Sequence, residues 1–214
     1  MSNYSFNNIA MQEKKFTRNK EEKIDLIYST FFNLILKKGY HKTSTNHVAK
    51  AAKISIGTIY KYFPNGKEDI IRNYFEDSMD SVLKIDDMLN INDNNIRDFL
   101  RQFITKLYKF HVEKQGYNLA FRSAIQTDKA LLDAHKEKLF TSFKDIAQEL
   151  RKENESFEKI PEDKLIKIFV FLYNLVNAII FHHLSMMKLF DTDDKLTEYI
   201  FSLVVFSLNY FVDK

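Results

Sequence analysis

The chain has 214 residues, 45% of them apolar, 29% charged and 14% aromatic, with a formal net charge of +3. Four Gly and two Pro are too few for an all-β fold rich in tight turns or for a glycine-rich phosphate cradle, and the absence of Cys excludes disulfides, thiol nucleophiles and Cys-based metal centres. The charge is uneven: residues 1–67 carry 12 Lys/Arg against 4 Asp/Glu, and residues 68–214 carry 20 against 25, so one end is expected to meet a polyanion.

Residues 1–20 are polar, rich in Asn, Ser and Lys, and without periodicity. They read as a flexible basic arm, with no apolar leader, and together with the lack of Cys they give the expectation of a cytoplasmic protein. From Glu21 to Lys38, Ile24, Ile27, Tyr28, Phe31, Phe32, Ile35 and Leu36 recur at three- and four-residue steps, which predicts an amphipathic helix closed by Gly39. Ser44 is placed to cap a second helix that buries Val48, Ala49 and Ala52. Lys53-Ile54-Ser55 forms a break, a short helix follows from Ile56 to about Phe63, and Pro64-Asn65-Gly66 is a turn before a helix from Lys67 to about Leu83.

Beyond this the chain reads as helix after helix. Asn95 to about Glu113 carries an apolar stripe, Gly116 is expected to separate it from a helix over 117–126, and Asp128 opens another to about Glu153. Asn154–Ile160 reads as a polar loop. Pro161, Glu162 and Asp163 start a helix running to about Leu189, and Asp191-Thr192-Asp193 caps the last one. The fold class is therefore all-α: an arm over 1–20, a helix-turn-helix head over 21–66 and a helical body over 67–214.

Ile168–Met187 and Tyr199–Val212 contain no charged residue. The first is long enough to span a bilayer, yet Asn174, Asn177, His182 and His183 within it are costly in lipid and the second run is too short, so no membrane partner is expected. Helices apolar nearly all round are instead covered by a second copy, in a C2 four-helix arrangement of the last two helices of each chain, with His182 and His183 at the seam.

The segment from Gly39 to Phe63 carries the functional signal. Small Ala49 and Ala52 allow close helix crossing, Ile54 fills the corner and Ser55 caps the second helix, which is helix-turn-helix geometry. The outer side of that second helix offers Thr58, Tyr60, Lys61 and Tyr62 to phosphates and base edges, and Gly57 lets the backbone approach a duplex. Gly39-Tyr40, Thr43-Ser44, Val48-Ala49, Ala52, Ile54-Ser55, the run Gly57-Thr58-Ile59-Tyr60-Lys61-Tyr62-Phe63 and Lys67-Glu68 with Ile70 together resemble the N-terminal domain of TetR-type transcriptional regulators. Two departures stand out: Lys53 takes a turn position usually held by Gly, and His47 replaces an acid, which removes a capping-box partner for Ser44.

The resemblance implies phosphate contacts from Thr43 or Ser44, Tyr60, Tyr62 and Lys67, and base-edge contacts from Thr45, Asn46, Ile56 and Thr58. It further implies a homodimer on a pseudo-palindromic double-stranded operator, and a small apolar or amphipathic effector held among the C-terminal helices that releases a repressor from DNA. Candidate effector contacts are Phe99, Phe103, Phe121, Phe169 and Tyr173, with Arg122, Gln126 and Asn177 as polar groups. No metal or other cofactor is expected, because His182 and His183 point about 100° apart on a helix and His111 and His135 lack a partner at metal-binding spacing. An all-helical enzyme on an apolar substrate would need a nucleophile–base constellation that no spacing here provides, and a helical protein-binding adaptor would not need the basic Thr45–Lys67 segment.

Overall fold

The computed structural model describes residues 3–83, 91 and 95–212, and side chains from Asn19 to Phe211 within those stretches. Its helices are α1 (Asn3–Lys38), α2 (Thr45–Ala52), α3 (Ile56–Tyr62), α4 (Lys67–Val82), α5 (Ile96–Glu113), α6 (Gln115–Thr127), α7 (Lys129–Glu153), α8 (Glu155–Glu158), α9 (Glu162–Ser185) and α10 (Asp193–Val212), with no strand among the described residues.

Two compact units result. One is Met1–Tyr74 with Ala120–Thr127, the head, and the other is Phe75–Leu119 with Asp128–Lys214, the body. Positions 20/21 and 66/67 both lie inside the head unit. Residues 3–38 contain neither Pro nor Gly, and α1 continues through position 20 without interruption. The unit boundary falls at 74/75 rather than 66/67, because Ile70, Ile71 and Tyr74 of α4 are buried with the head.

The head core is aromatic. Ile27, Phe31 and Phe32 of α1 are wholly buried with Val48 of α2, Ile59 of α3 and Ile70 of α4. Phe32 packs edge-on to Tyr74 at 4.5 Å between centroids, and Tyr28 lies 5.7 Å from Phe63. Gly39 takes φ +83 as its N–H bonds the Ile35 carbonyl at 2.8 Å, the left-handed closure that stops α1. The last turns of α6 complete this core: Ala120 and Ala124 are fully buried, Phe121 meets Tyr74 at 6.1 Å, and His41 Nε2–H donates to the Thr127 carbonyl at 2.8 Å.

The body core is built from α5, α9 and α10, where Ile104, Leu107, Ile180, Leu196, Ile200 and Val204 interdigitate. Three sequence readings are corrected here. Gly116 lies inside the first turn of α6 rather than before it, the helix start being tied down by Gln115 Nε2, which donates to the Leu184 carbonyl at 2.5 Å. The stretch expected to be loop contains the single turn α8, capped by Asn154 Oδ1 accepting from Ser156 N at 2.8 Å. Helix α9 ends at Ser185, not near Leu189, because Met186 and Met187 N–H both turn back to the His182 carbonyl and the buried His183 Nδ1 accepts from Leu189 N at 2.9 Å. That bond commits His183 to its own chain, whereas His182 stays exposed.

Candidate nucleic-acid interface and effector cavity

Both short helices of the head begin with a serine cap. Ser44 Oγ accepts from His47 N at 3.3 Å while His47 Nδ1 accepts from Ser44 N at 3.3 Å, so the capping box is closed. The expected loss of this box is overturned: the lone pair of a neutral imidazole performs the reach-back that a carboxylate makes elsewhere. Ser55 Oγ accepts from Thr58 N at 3.1 Å and starts α3. Between the helices Lys53 sits at φ +55, with Ile54 N bonded to the Ala49 carbonyl at 3.0 Å. The turn keeps its left-handed form, and Lys53 bears the steric cost that glycine would avoid.

This geometry aims α3. Ile59 is buried in the head core and Phe63 nearly so, which leaves Ile56, Gly57, Tyr60 and Lys61 exposed on the opposite face and Thr58 and Tyr62 half-buried at its margin. Asn46 is exposed at the start of α2, and Thr45 Oγ1 lies 3.2 Å from the Tyr60 hydroxyl, tying α2 to α3. Gly66, at φ +67, makes this pairing possible, because a Cβ there would come within 2.9 Å of Thr45 Cγ2. Lys67 rests its ammonium 4.0 Å from the Tyr40 ring centroid, which holds a cation at the first turn of α4. Thr43 is a correction: it is 1% exposed and its hydroxyl donates to the Gly39 carbonyl at 2.9 Å, so of the Thr43–Ser44 pair only Ser44 faces outward enough to meet a phosphate.

Asp69 escaped the sequence reading. Buried at the start of α4, it accepts from Asn65 N at 2.7 Å and Asn65 Nδ2 at 3.1 Å and fixes the turn that presents Lys67. An acid four residues after a turn asparagine was the available signal.

The body holds a half-open cavity of about 110 Å³ lined almost wholly by hydrocarbon. Phe99, Phe103, Phe169 and Tyr173 line it, joined by Phe143, Phe157, Ile104, Leu172 and Val176. Phe121, Arg122 and Gln126 do not: they belong to the α6 turns that complete the head. Asn177 lies next to the lining residue Val176 but its amide is committed, Oδ1 accepting from His111 Nε2 at 2.6 Å and Nδ2 donating to the Tyr173 carbonyl at 2.7 Å. His111, on the buried stripe with Ile104 and Leu107, was missed because it was weighed only as a metal ligand.

A capped helix-turn-helix with an outward second helix has the geometry of a DNA-binding head, and in this chain it is joined to a helical body holding an apolar cavity. Residues 27–74 match the family described as bacterial regulatory proteins of the TetR family. The HTH-type transcriptional regulator YuxN of Bacillus subtilis is 30% identical over 100 residues, covering 45% of this chain and 33% of that protein. The fatty acid metabolism regulator protein of the same organism is 34% identical over 67 residues, covering 31% of this chain and 34% of that protein. The match thus spans about a third of the length of these curated relatives. The crystal structure of a protein assigned to the TetR-family regulators of Syntrophomonas wolfei shares the fold across 90% of this chain and 96% of its own, with a TM-score of 0.67 at 17% identity. Residues 27–74 thus carry the N-terminal domain of TetR-family regulatory proteins, and the body shares its fold with solved proteins of that family.

Proposed function

We propose that the protein is a homodimeric, effector-responsive transcriptional repressor acting in the cytoplasm. The observation that carries this reading is the α3 surface: one buried edge, one edge of hydroxyls, a cation and Gly57 facing outward, set by two serine caps. In this reading Ile56, Thr58, Thr45 and Asn46 touch base edges, Ser44, Tyr60, Tyr62 and Lys67 hold phosphates, Lys61 adds charge, and Gly57 permits close backbone approach.

Dimerisation is supported by what one chain leaves uncovered. Phe171 on α9 and Tyr199, Phe206 and Tyr210 on α10 are 44–69% exposed, on helices with no charge over 168–187 and 199–212. Helix α9 is long and apolar enough to cross a membrane, with 33% of its most apolar window buried in the single chain. A second copy seated on α9 and α10 covers these side chains and sets two α3 helices for successive major grooves.

The cavity fits the apolar part of an effector. Its lining offers hydrocarbon on every side, and the similarity to a fatty acid metabolism regulator favours an acyl chain. In this reading an acyl chain enters the half-open cavity, and it releases the operator by preferring an arrangement of the body that binds DNA less well.

Selection of random duplexes on the purified protein tests the reading. A pseudo-palindrome with half-site centres about one helical turn, or a multiple of it, apart is expected to enrich. Its binding should fall at least tenfold in a Tyr60→Ala/Lys61→Ala variant and be relieved by palmitate but not by butyrate. A flat selection profile refutes DNA reading by α3.

A further inference from the structure

Three buried or half-buried polar side chains of the body form a line that begins at the cavity wall and ends on α6. Tyr173 and Val176 of α9 line the cavity. Asn177 Nδ2 donates to the Tyr173 carbonyl at 2.7 Å, which orients the amide and turns Oδ1 toward α5. That oxygen only accepts, so His111 Nε2 bears the proton of the 2.6 Å bond between them. His111 Nδ1 is then the lone-pair nitrogen, and it accepts from Asn118 Nδ2 of α6 at 3.1 Å. The line has one polarity from end to end, with a neutral imidazole in the middle.

We propose that Asn177, His111 and Asn118 are positioning residues that carry cavity occupancy to α6. This rests on the functional reading above. A ligand that displaces Tyr173 and Val176 moves Asn177 with them. His111 and Asn177 are each only 7% exposed, so a broken bond leaves polar groups stranded away from water, and the line shifts as a unit instead of stretching. Gln115, bonded to the Leu184 carbonyl, holds the same end of α6 to the body. The other end of this 13-residue helix belongs to the head unit, where Phe121 meets Tyr74 and the Thr127 carbonyl accepts from His41. An apolar seam would slip side chain past side chain; a hydrogen-bonded line has discrete registers and transmits a displacement.

The test is the ratio of operator dissociation constants measured with and without saturating palmitate, using the full chain and the duplex recovered by selection. Palmitate affinity is read separately by calorimetry. The wild type is expected to show a ratio of at least ten. Asn118→Leu is expected to bring the ratio to within twofold of one, with operator affinity in the absence of palmitate and palmitate affinity each within threefold of wild type. Should Asn118→Leu melt early, Asn118→Ala is read instead, with the same expectation. A purely structural role would lower stability and leave the ratio intact. An undiminished ratio in a folded variant overturns the relay while the functional reading stands; a wild-type ratio of one overturns that reading and the relay together.

Discussion

Lys53 adopts a left-handed backbone at φ +55 in the turn between α2 and α3, where a side chain costs roughly 1 kcal/mol. Lys53→Gly removes that strain and accepts a smaller entropic cost. A net gain of about 0.5 kcal/mol, a rise of one to two degrees in Tm by calorimetry, is expected; a lower Tm would mean the turn is not strained. The position was readable in the sequence as a non-glycine in a glycine place. His47 was not, because judging it by the absent acid overlooked that imidazole nitrogen is also an acceptor. Tyr108 gives a pH-dependent counterpart in the body: burial, reinforced by a hydrogen bond to Asp193, pushes its phenol up to about 12. An acid raised in the folded state contributes stability that is fully present below its unfolded value near 10 and is lost as pH climbs from 10 to 12. The loss is of order 2 kcal/mol. Tyr108→Phe should flatten stability against pH over that window in denaturant titrations, and an unchanged slope would exclude the phenol as its source.

At the scale of elements, periodicity and caps fixed most helices of both units, including the break over 53–55 and the start of α3 that together orient the interface. Ser44→Ala should therefore cost about 1 kcal/mol by thermal denaturation and weaken operator binding beyond that loss of stability, since it frays the end of α2 that carries Thr45 and Asn46. Helix α6 was legible as a helix but not as a shared one. Local spacing cannot reveal that residues 115–119 join the body while Ala120–Thr127 join the head, because that division is decided by long-range packing of Ala120, Phe121 and Ala124. Arg122 and Gln126 therefore fall in the head unit and outside the cavity lining. Four of the five expected aromatics do line it, because the apolar stripes of α5 and α9 face the same core. Ile146 of α7 also lines the cavity. Ile146→Phe should fill the space at little cost in stability, reduce palmitate affinity more than tenfold by calorimetry and leave operator affinity unchanged; undiminished palmitate binding would place the ligand elsewhere.

For the molecule as a whole, the exposed aromatics of α9 and α10 and the basic head address the same function. Phe206 is 69% exposed on a face without charge, and Phe206→Glu sets two like charges near the two-fold axis of the proposed dimer. The variant should sediment as a monomer and lose operator affinity, since one α3 then reaches one half-site. The uncharged runs on which the proposed seam rests are visible in the sequence, whereas the side chains left uncovered, Phe171, Tyr199, Phe206 and Tyr210, emerge only with the burial pattern. The most direct measurement is sedimentation velocity of the wild-type protein alone and with its selected duplex, at low and at physiological salt. Two chains per duplex, in a complex that weakens steeply as salt is raised, is the expected result; a monomer that leaves the duplex unshifted at either salt would contradict a dimer reading DNA through paired α3 helices.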